Sequence, residues 1–483
     1  MSGALSARQR AALLAGLVGI LLIRCLTLGA YPLIDTSEAR YGEIARTMLE
    51  LDDWVTPWFD HGVPFWGKPP LAFWLSAASA KVLGVSEFAL RLPSFLLGLA
   101  TLALTAGLAS SSRSPDHARV AALALASSAL FFIASGAVFT DTALAFCVTL
   151  ALAGFWRGVA EPGRHAAAWR CALFAALGLG LLAKGPVALV LAGAPILVWA
   201  LLTRRLWRSI RALPWLGGVA LMLMLALPWY LLAEQRTPGF LEYFLVGENF
   251  KRFTDPGWTG DLYGGVRTRP WGYIWLLWLG AALPWSPFLI AAARPAFFRA
   301  SPWRLYLLCF ALAPGVFFTF AGSVLPPYVL PGLPALALLL AEWWFAGKRA
   351  VQPQQLTLFA AAMPLLFALA LPVLNARFAA DRSQRELLAR LPPRVGVVYY
   401  PERPFSGQFY SQGRARQARD EESLLWQLTA DPGSYIVTLA STPLPSEVAA
   451  RYRKVADAGR RNKSVLWAPS EPGRASAHGA VQP

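Results

Sequence analysis

The chain has 483 residues, 56% of them hydrophobic and only 15% charged, with 20 tryptophans. Soluble domains carry about 25% charged residues, so this composition excludes a soluble globular protein and places most of the chain in lipid. A net charge of +17 would suggest nucleic acid in a soluble protein. Here it is the mark of basic loops that orient a polytopic membrane protein, and no nucleic-acid partner is expected.

Apolar runs of spanning length predict membrane helices at 11–34, 88–109, 118–137, 141–158, 214–233, 271–293, 304–321, 327–346 and 356–374. Two shorter runs, 170–182 and 186–202, flank Lys184-Gly185-Pro186 and read as a pair of short helices meeting at one face. The total is eleven crossings, or up to thirteen if parts of 70–85 and 234–250 re-enter. The first run is too long, and too poor in cleavage-site features, for a signal peptide, and reads as a retained helix.

Charge tests this layout. Loops expected on the cytoplasmic side hold sixteen lysines and arginines, from Arg8 to Arg349, against only Asp116 and Glu161. The opposite loop, 35–87, has four basic residues against eight acids. The asymmetry puts the N-terminus inside and the C-terminus outside.

The domain plan is therefore an α-helical polytopic membrane domain over 1–374, containing a first outer loop at 35–87 and a second at 234–270. A small outer α/β domain follows over 375–470, with strand-like Val395–Tyr400 and Ser434–Leu439 and a helical stretch at Glu421–Leu428. The Ala/Ser/Gly/Pro-rich tail 471–483 is expected to be disordered. The four cysteines show neither CxxC nor metal spacing and read as packing residues. No internal repeat is visible, which weighs against a transporter built from inverted halves.

The notable polar groups fall on the outer loops: Asp35, Glu38, Arg40 and Tyr41 after the first helix, then Lys68, Asp141, Lys184, Glu248, Asn249, Lys251, Arg252 and Tyr328. A transporter would place its ionisable groups near the midplane; the spans here hold little beyond Arg24. Each residue also has a plain structural reading. Asp35-Thr36-Ser37-Glu38 resembles a capping box, and Lys68 and Lys184 could snorkel to head groups. Asp141 could cap a helix, Glu248 to Arg252 could be a solvated face, and Tyr328 and the tryptophans could form interfacial belts. The functional reading joins them. A lipid-linked phosphate ester reacting at the membrane edge needs cations for the charge growing on its leaving group, and Lys68, Lys184, Arg40 and Arg252 are of that kind. An acceptor needs a positioned carboxylate to orient it or take its proton, for which Asp35 and Glu38 are the catalytic candidates. Direct displacement with inversion is the economical mechanism.

At this point the chain resembles the aminoarabinose-transferase branch of the lipid-dependent glycosyltransferases, relatives of the protein O-mannosyltransferases with the GT-C fold. The resemblance runs to about residue 345. It rests on Glu38-Ala39-Arg40-Tyr41-Gly42-Glu43-Ile44-Ala45-Arg46, Asp53-Trp54-Val55-Thr56-Pro57, Lys68-Pro69-Pro70 and Thr140-Asp141. Further matches are Ala183-Lys184-Gly185, Leu227-Pro228-Trp229, Glu248-Asn249 with Lys251-Arg252-Phe253, Leu283-Pro284-Trp285 and Leu325-Pro326-Pro327-Tyr328. It implies a multi-helix membrane glycosyltransferase whose donor is a sugar on undecaprenyl or another polyprenyl phosphate, and whose acceptor is lipid A phosphate or another glycolipid. It further implies a multi-pass protein of a bacterial inner membrane with a periplasmic active site.

Carried over, Asp35 is the catalytic carboxylate, Lys68, Lys184 and Arg252 bind the donor phosphate, and Arg40, Tyr41 and Tyr328 shape the substrate pocket with Asp141, Glu248 and Asn249. Three positions depart from the pattern. Ser37 stands where the branch has Asp, Gly67 where it has Glu before the phosphate lysine, and Asn249 where it often has His. The Glu and His missing at Gly67 and Asn249 are candidate metal ligands, so no bound metal is expected and no other cofactor is predicted. The alternatives are a protein O-mannosyltransferase using the same donor class and a transporter of lipid-linked sugars.

Overall fold

The structure, a computed structural model, describes residues 5–255, 257–264, 269–292, 294–347, 352–392, 395–461 and 463–470. Lys348, Arg349 and the tail 471–483 lie outside them. The chain divides into two compact units, 1–30 with 48–369 and 31–47 with 370–483. Residues 31–47 thus group with the C-terminal residues.

In the first unit and the helix that leaves it, seven helices among the described residues are long and apolar enough to cross a membrane: Ala7–Leu26, Glu87–Ser112, Thr140–Ala160, Ala166–Lys184, Trp215–Arg236, Pro326–Ala346 and Pro353–Arg377. Leu71–Leu83, Val187–Leu202 and Pro302–Phe318 are shorter and also apolar. The chain is a multi-pass membrane protein. Local sequence sets several helix starts. Ser6 and Gln9 form a reciprocal capping box. Ser86 accepts from the amide of Ala89 at 3.2 Å, and Pro302 takes the first helical position, where its missing N–H costs nothing.

Burial grades across the bundle. The spans Thr140–Ala160 and Pro326–Ala346 are 78% and 89% buried, whereas Ala7–Leu26 and Pro353–Arg377 are only 17% buried. Helix Thr140–Phe155 lies so close to the next one that a side chain at Gly154 would meet the carbonyl oxygen of Trp169 at 2.8 Å. Arg24, costly inside an apolar span, is buried with Nη1 donating to Thr27 Oγ1 and Nη2 to the carbonyl of Ile133, both at 3.1 Å. Its guanidinium also lies over the rings of Phe132 and Phe367.

Two expected spans are broken. The run 118–137 forms helices Pro115–Ser127 and Ala129–Ala134, because Ser128 turns to an extended conformation. The amide of Ala129 donates instead to the carbonyl of Leu283 at 2.7 Å. The run 271–293 forms Tyr273–Ala281 and Ser286–Ala292; Pro284 has no N–H to continue the first of these. The indole of Trp285 then donates to Ser127 Oγ at 3.0 Å, tying the two breaks together. A short antiparallel hairpin, β1 (Trp58–Asp60) and β2 (Val63–Pro64), lies in the first outer loop.

The second unit holds a five-stranded sheet of β3 (Val397–Tyr400), β4 (Ala415–Gln417), β5 (Tyr435–Leu439), β6 (Tyr452–Ala458) and β7 (Ser464–Pro469), in the order β4-β3-β5-β7-β6. β3 pairs parallel with β4 and β5, while β7 pairs antiparallel with β5 and β6. Alternation places Val397, Tyr399, Val437 and Leu466 on one face and Val398 and Ile436 on the other, each face under its own apolar cluster. Residues 31–47 belong to this packing: the amide of Leu33 donates to the Tyr410 hydroxyl at 2.7 Å and that of Asp35 to the carbonyl of Arg382 at 2.8 Å.

Candidate substrate site

In the first unit, indole groups fasten the outer loop that carries Lys68. The ring nitrogens of Trp229 and Trp74 donate to the carbonyls of Val55 and Trp54 at 2.9 and 2.6 Å. Trp66 donates to Thr237 Oγ1 at 3.0 Å, and the Tyr263 hydroxyl bridges the carbonyl of Pro64 and the amide of Trp66. Asp53 explains the Asp-Trp-Val-Thr motif: one oxygen accepts from the amides of Val55 and Thr56, the other from the indole of Trp58. Partial burial pushes this carboxyl up, but the three hydrogen bonds outweigh it and hold the group below its ordinary range.

Lys68 faces a cavity of about 180 Å³. Its polar wall is Lys68, Lys184, Glu248, Asn249, Arg252, Ser323 and Tyr328; Pro186, Val187, Val190, Phe244, Phe253, Phe317 and Phe318 supply most of the apolar wall. Lys184 arrives at the C-terminus of its helix, where a cation is favoured. The chain then turns through Gly185 at φ +82°, a conformation that suits glycine, and an added Cβ would meet the Phe244 ring at 2.6 Å. The Lys184 ammonium pairs with Asp141, in the first turn of its own helix, and lies 4.5 Å from the centre of the Tyr328 ring. Glu248 and Arg252 come from a π-helical stretch, Glu242–Lys251, and the turn that follows it; such irregular turns are frequent at functional sites.

Glu248 ties the cations together. Its Oε1 accepts from Lys68 Nζ at 2.6 Å and from Arg252 Nη1 at 2.7 Å. Burial pushes the Glu248 carboxyl up, yet the charges of Lys68 and Arg252 outweigh it and leave the group below the usual range. The same carboxylate drives the Arg252 guanidinium further from deprotonation, against the effect of burial. Arg252 also lies 3.6 Å from Asp261. Asn249 donates its side-chain amide to the carbonyl of Phe244 at 2.7 Å, which spends it on the backbone. A side chain at Gly67 would meet the Phe65 ring at 2.8 Å. Gly67 has no side chain to offer a metal, no group of three or more His, Cys, Asp or Glu that could hold one is found among the described residues, and no step is assigned to a metal.

One lining residue escapes sequence reasoning. Ser323 is 6% exposed, and its hydroxyl has no hydrogen-bond partner among the described residues. A buried hydroxyl normally finds one. A lone serine in a loop carries no motif that would have singled it out.

The other expected site residues lie in the second unit. Asp35 does not cap the helix Ser37–Leu51; its carboxylate accepts from the amide of Ser406 at 3.0 Å and from the Ser406 hydroxyl. Burial pushes Asp35 up to about 6, although both hydrogen bonds pull it down. Glu38 is buried and accepts from the amide of Ile34 at 3.3 Å. Arg40 lies over the rings of Tyr41 and Phe405 at 5.4 and 5.6 Å, and Glu43 holds Arg46 through two bonds of 2.8 Å.

A family model described as dolichyl-phosphate-mannose-protein mannosyltransferase matches residues 21–244. The undecaprenyl phosphate-alpha-4-amino-4-deoxy-L-arabinose arabinosyl transferase of Pseudomonas aeruginosa is 31% identical over 345 residues, 70% of this chain and 60% of that protein. Its counterpart in Edwardsiella ictaluri is 31% identical over 318 residues, 63% of this chain and 54% of that protein. The chain thus spans between about half and three fifths of the length of these curated relatives. The crystal structure of ArnT from Cupriavidus metallidurans bound to undecaprenyl phosphate superposes with a TM-score of 0.78 at 22% identity, covering 95% of this chain and 98% of that one. The apo form gives 0.76 at 21% identity, covering 94% and 97%. With its bundle of apolar helices and small C-terminal sheet, the chain has the fold of these ArnT structures.

Proposed function

We propose that this protein is a glycosyltransferase that moves a sugar from a polyprenyl phosphate, such as undecaprenyl phosphate, to a lipid acceptor such as lipid A phosphate. The observation that carries the reading is the convergence of Lys68, Lys184 and Arg252 on one cavity that also has an extensive apolar wall, the chemistry of a phosphate on a prenyl chain. An acceptor oxygen attacks the anomeric carbon from the face opposite the donor phosphate, with inversion. The carbon–oxygen bond to that phosphate breaks, and the electron pair stays on the leaving polyprenyl phosphate. Lys68 and Arg252 stabilise that charge as it grows. Asp35 and Glu38 are the carboxylate candidates for orienting the acceptor or taking a proton from a hydroxyl acceptor. Ser406 engages Asp35 and the amide of Ile34 donates to Glu38, so both carboxylates are tested. Arg40 and Tyr41 support that segment. The reaction is assigned to the periplasmic face of a bacterial inner membrane, on the charge asymmetry of the loops.

The match to the protein mannosyltransferase model favours one second reading, transfer from the same donor class to serine or threonine of a protein. Mass spectrometry of lipid A, of polyprenyl-phosphate sugars and of glycoproteins from cells with and without the gene separates the two. Lys68→Ala should abolish whichever product appears, and so should at least one of Asp35→Asn and Glu38→Gln; turnover left intact by both would overturn the carboxylate assignment. A purified protein that transfers no sugar, yet moves the lipid-linked sugar across vesicle membranes, would sink the enzyme reading in favour of a transporter.

A further inference from the structure

The cavity does not hold a surplus of positive charge. Lys68 and Arg252 share Glu248, Lys184 is held by Asp141, and Arg252 also lies 3.6 Å from Asp261. Three cations therefore face three carboxylates, and their formal charges cancel. Glu248 Oε1, within 2.7 Å of both Lys68 Nζ and Arg252 Nη1, occupies the place that an oxyanion bound by both cations would take. The two cations hold this carboxylate ionised, so an incoming phosphate must take them from it and then stay beside it.

The two phosphates of the reaction differ in charge. The sugar donor is a phosphodiester with one negative charge. The product left behind is a monoester, which approaches two at neutral pH because its second proton leaves near pH 6. A retained carboxylate repels the second charge as well as the first, and in a buried pocket that repulsion is weakly screened. We propose that Glu248 is a specificity-determining residue that makes the pocket favour the monoanionic phosphodiester over the dianionic polyprenyl phosphate, and thereby expels the product. The inference rests on reading the cavity as a lipid-phosphate site. It assigns Glu248 no part in bond making, and it explains why an acid stands between the two cations that a leaving phosphate would need.

The test uses full-length protein in detergent at pH 8 with two probes, farnesyl phosphate as the monoester and farnesyl methyl phosphate as the diester. The readout is the ratio of their dissociation constants. Glu248→Gln keeps the size of the side chain and an oxygen that can accept from Lys68 and Arg252. It should tighten the monoester by about tenfold or more and change the diester far less. Glu248→Asp keeps the charge and should retain the wild-type ratio even if both affinities fall. An unchanged ratio in Glu248→Gln, or equal weakening of both probes, overturns the inference and leaves Glu248 as scaffold. If the wild type binds neither probe, the lipid-phosphate reading fails, and this inference with it.

Discussion

Asp35→Asn tests the electrostatics of the second unit most directly. The Asp35 carboxyl is pushed from an ordinary 3.8 up to about 6 by burial, despite the amide and hydroxyl of Ser406. A carboxyl whose pKa is higher in the folded than in the unfolded protein favours folding while protonated and loses that advantage as pH rises. The penalty is therefore absent below about pH 3.8 and fully in force above about pH 6. At about 1.4 kcal/mol per pH unit, the rise corresponds to about 3 kcal/mol. Asparagine removes the buried charge but keeps only one acceptor for Ser406, which gives back about 1 kcal/mol. The variant should thus stabilise the second unit by about 2 kcal/mol at pH 7.5 and give no gain, or a slight loss, near pH 4. Hydrogen exchange of β3 and β5 in the detergent-solubilised protein, variant against wild type at each pH, reads this out. Faster exchange of the variant at pH 7.5 would show that the ionised carboxylate stabilises the unit and would refute the reasoning.

Three further outcomes are expected. Gly185→Ala forces an alanine to φ +82° with its Cβ 2.6 Å from the Phe244 ring; it should cost about 1–3 kcal/mol, seen as a lower Tm in detergent, and an unchanged Tm would mean that the turn relaxes freely. Ser323→Ala removes a buried hydroxyl that has no partner among the described residues, so Tm should hold or rise, while polyprenyl phosphate binds about fivefold to tenfold more weakly if the hydroxyl meets the ligand. Unchanged affinity by fluorescence titration would remove Ser323 from the site. Asp141→Leu strands the Lys184 ammonium and should destabilise by about 3–5 kcal/mol, and adding Lys184→Met should recover much of that. A double variant as unstable as the sum of the two singles would show that the pair does not act as a unit.

Long helices were legible because lipid demands continuous apolar runs, and such runs are visible in composition alone. Breaks inside them were not. Ser128 ends a helix by turning its backbone while its neighbours stay apolar, and hydropathy averages over that turn. The small sheet showed the same split. β3 and β5 are buried on both faces and read as apolar runs, whereas β6 carries Arg453, Lys454 and Asp457, buries only Tyr452 and Ala456, and gives no comparable signal. The candidate site residues stand out in the sequence by charge and position, but their pairing does not. Lys68 and Glu248 are 180 residues apart and Lys184 and Asp141 are 43 apart, and nothing local joins either pair. Asp35 shows the reverse error: a local capping pattern suggested a partner two or three residues away, and the carboxylate instead reaches Ser406, 371 residues on.

The gradient of burial across the bundle also decides which helices register the thickness of the bilayer. Ala7–Leu26, with 20 residues, is about 30 Å long, close to the hydrocarbon core of a typical membrane. Pro353–Arg377, with 25 residues, is about 37 Å long and must tilt or stretch the lipid around it. Both are mostly unburied, so a change in acyl-chain length meets these two helices before it meets the buried ones. Pro353–Arg377, the longer of the two, carries the larger mismatch and should respond more to a change in acyl-chain length.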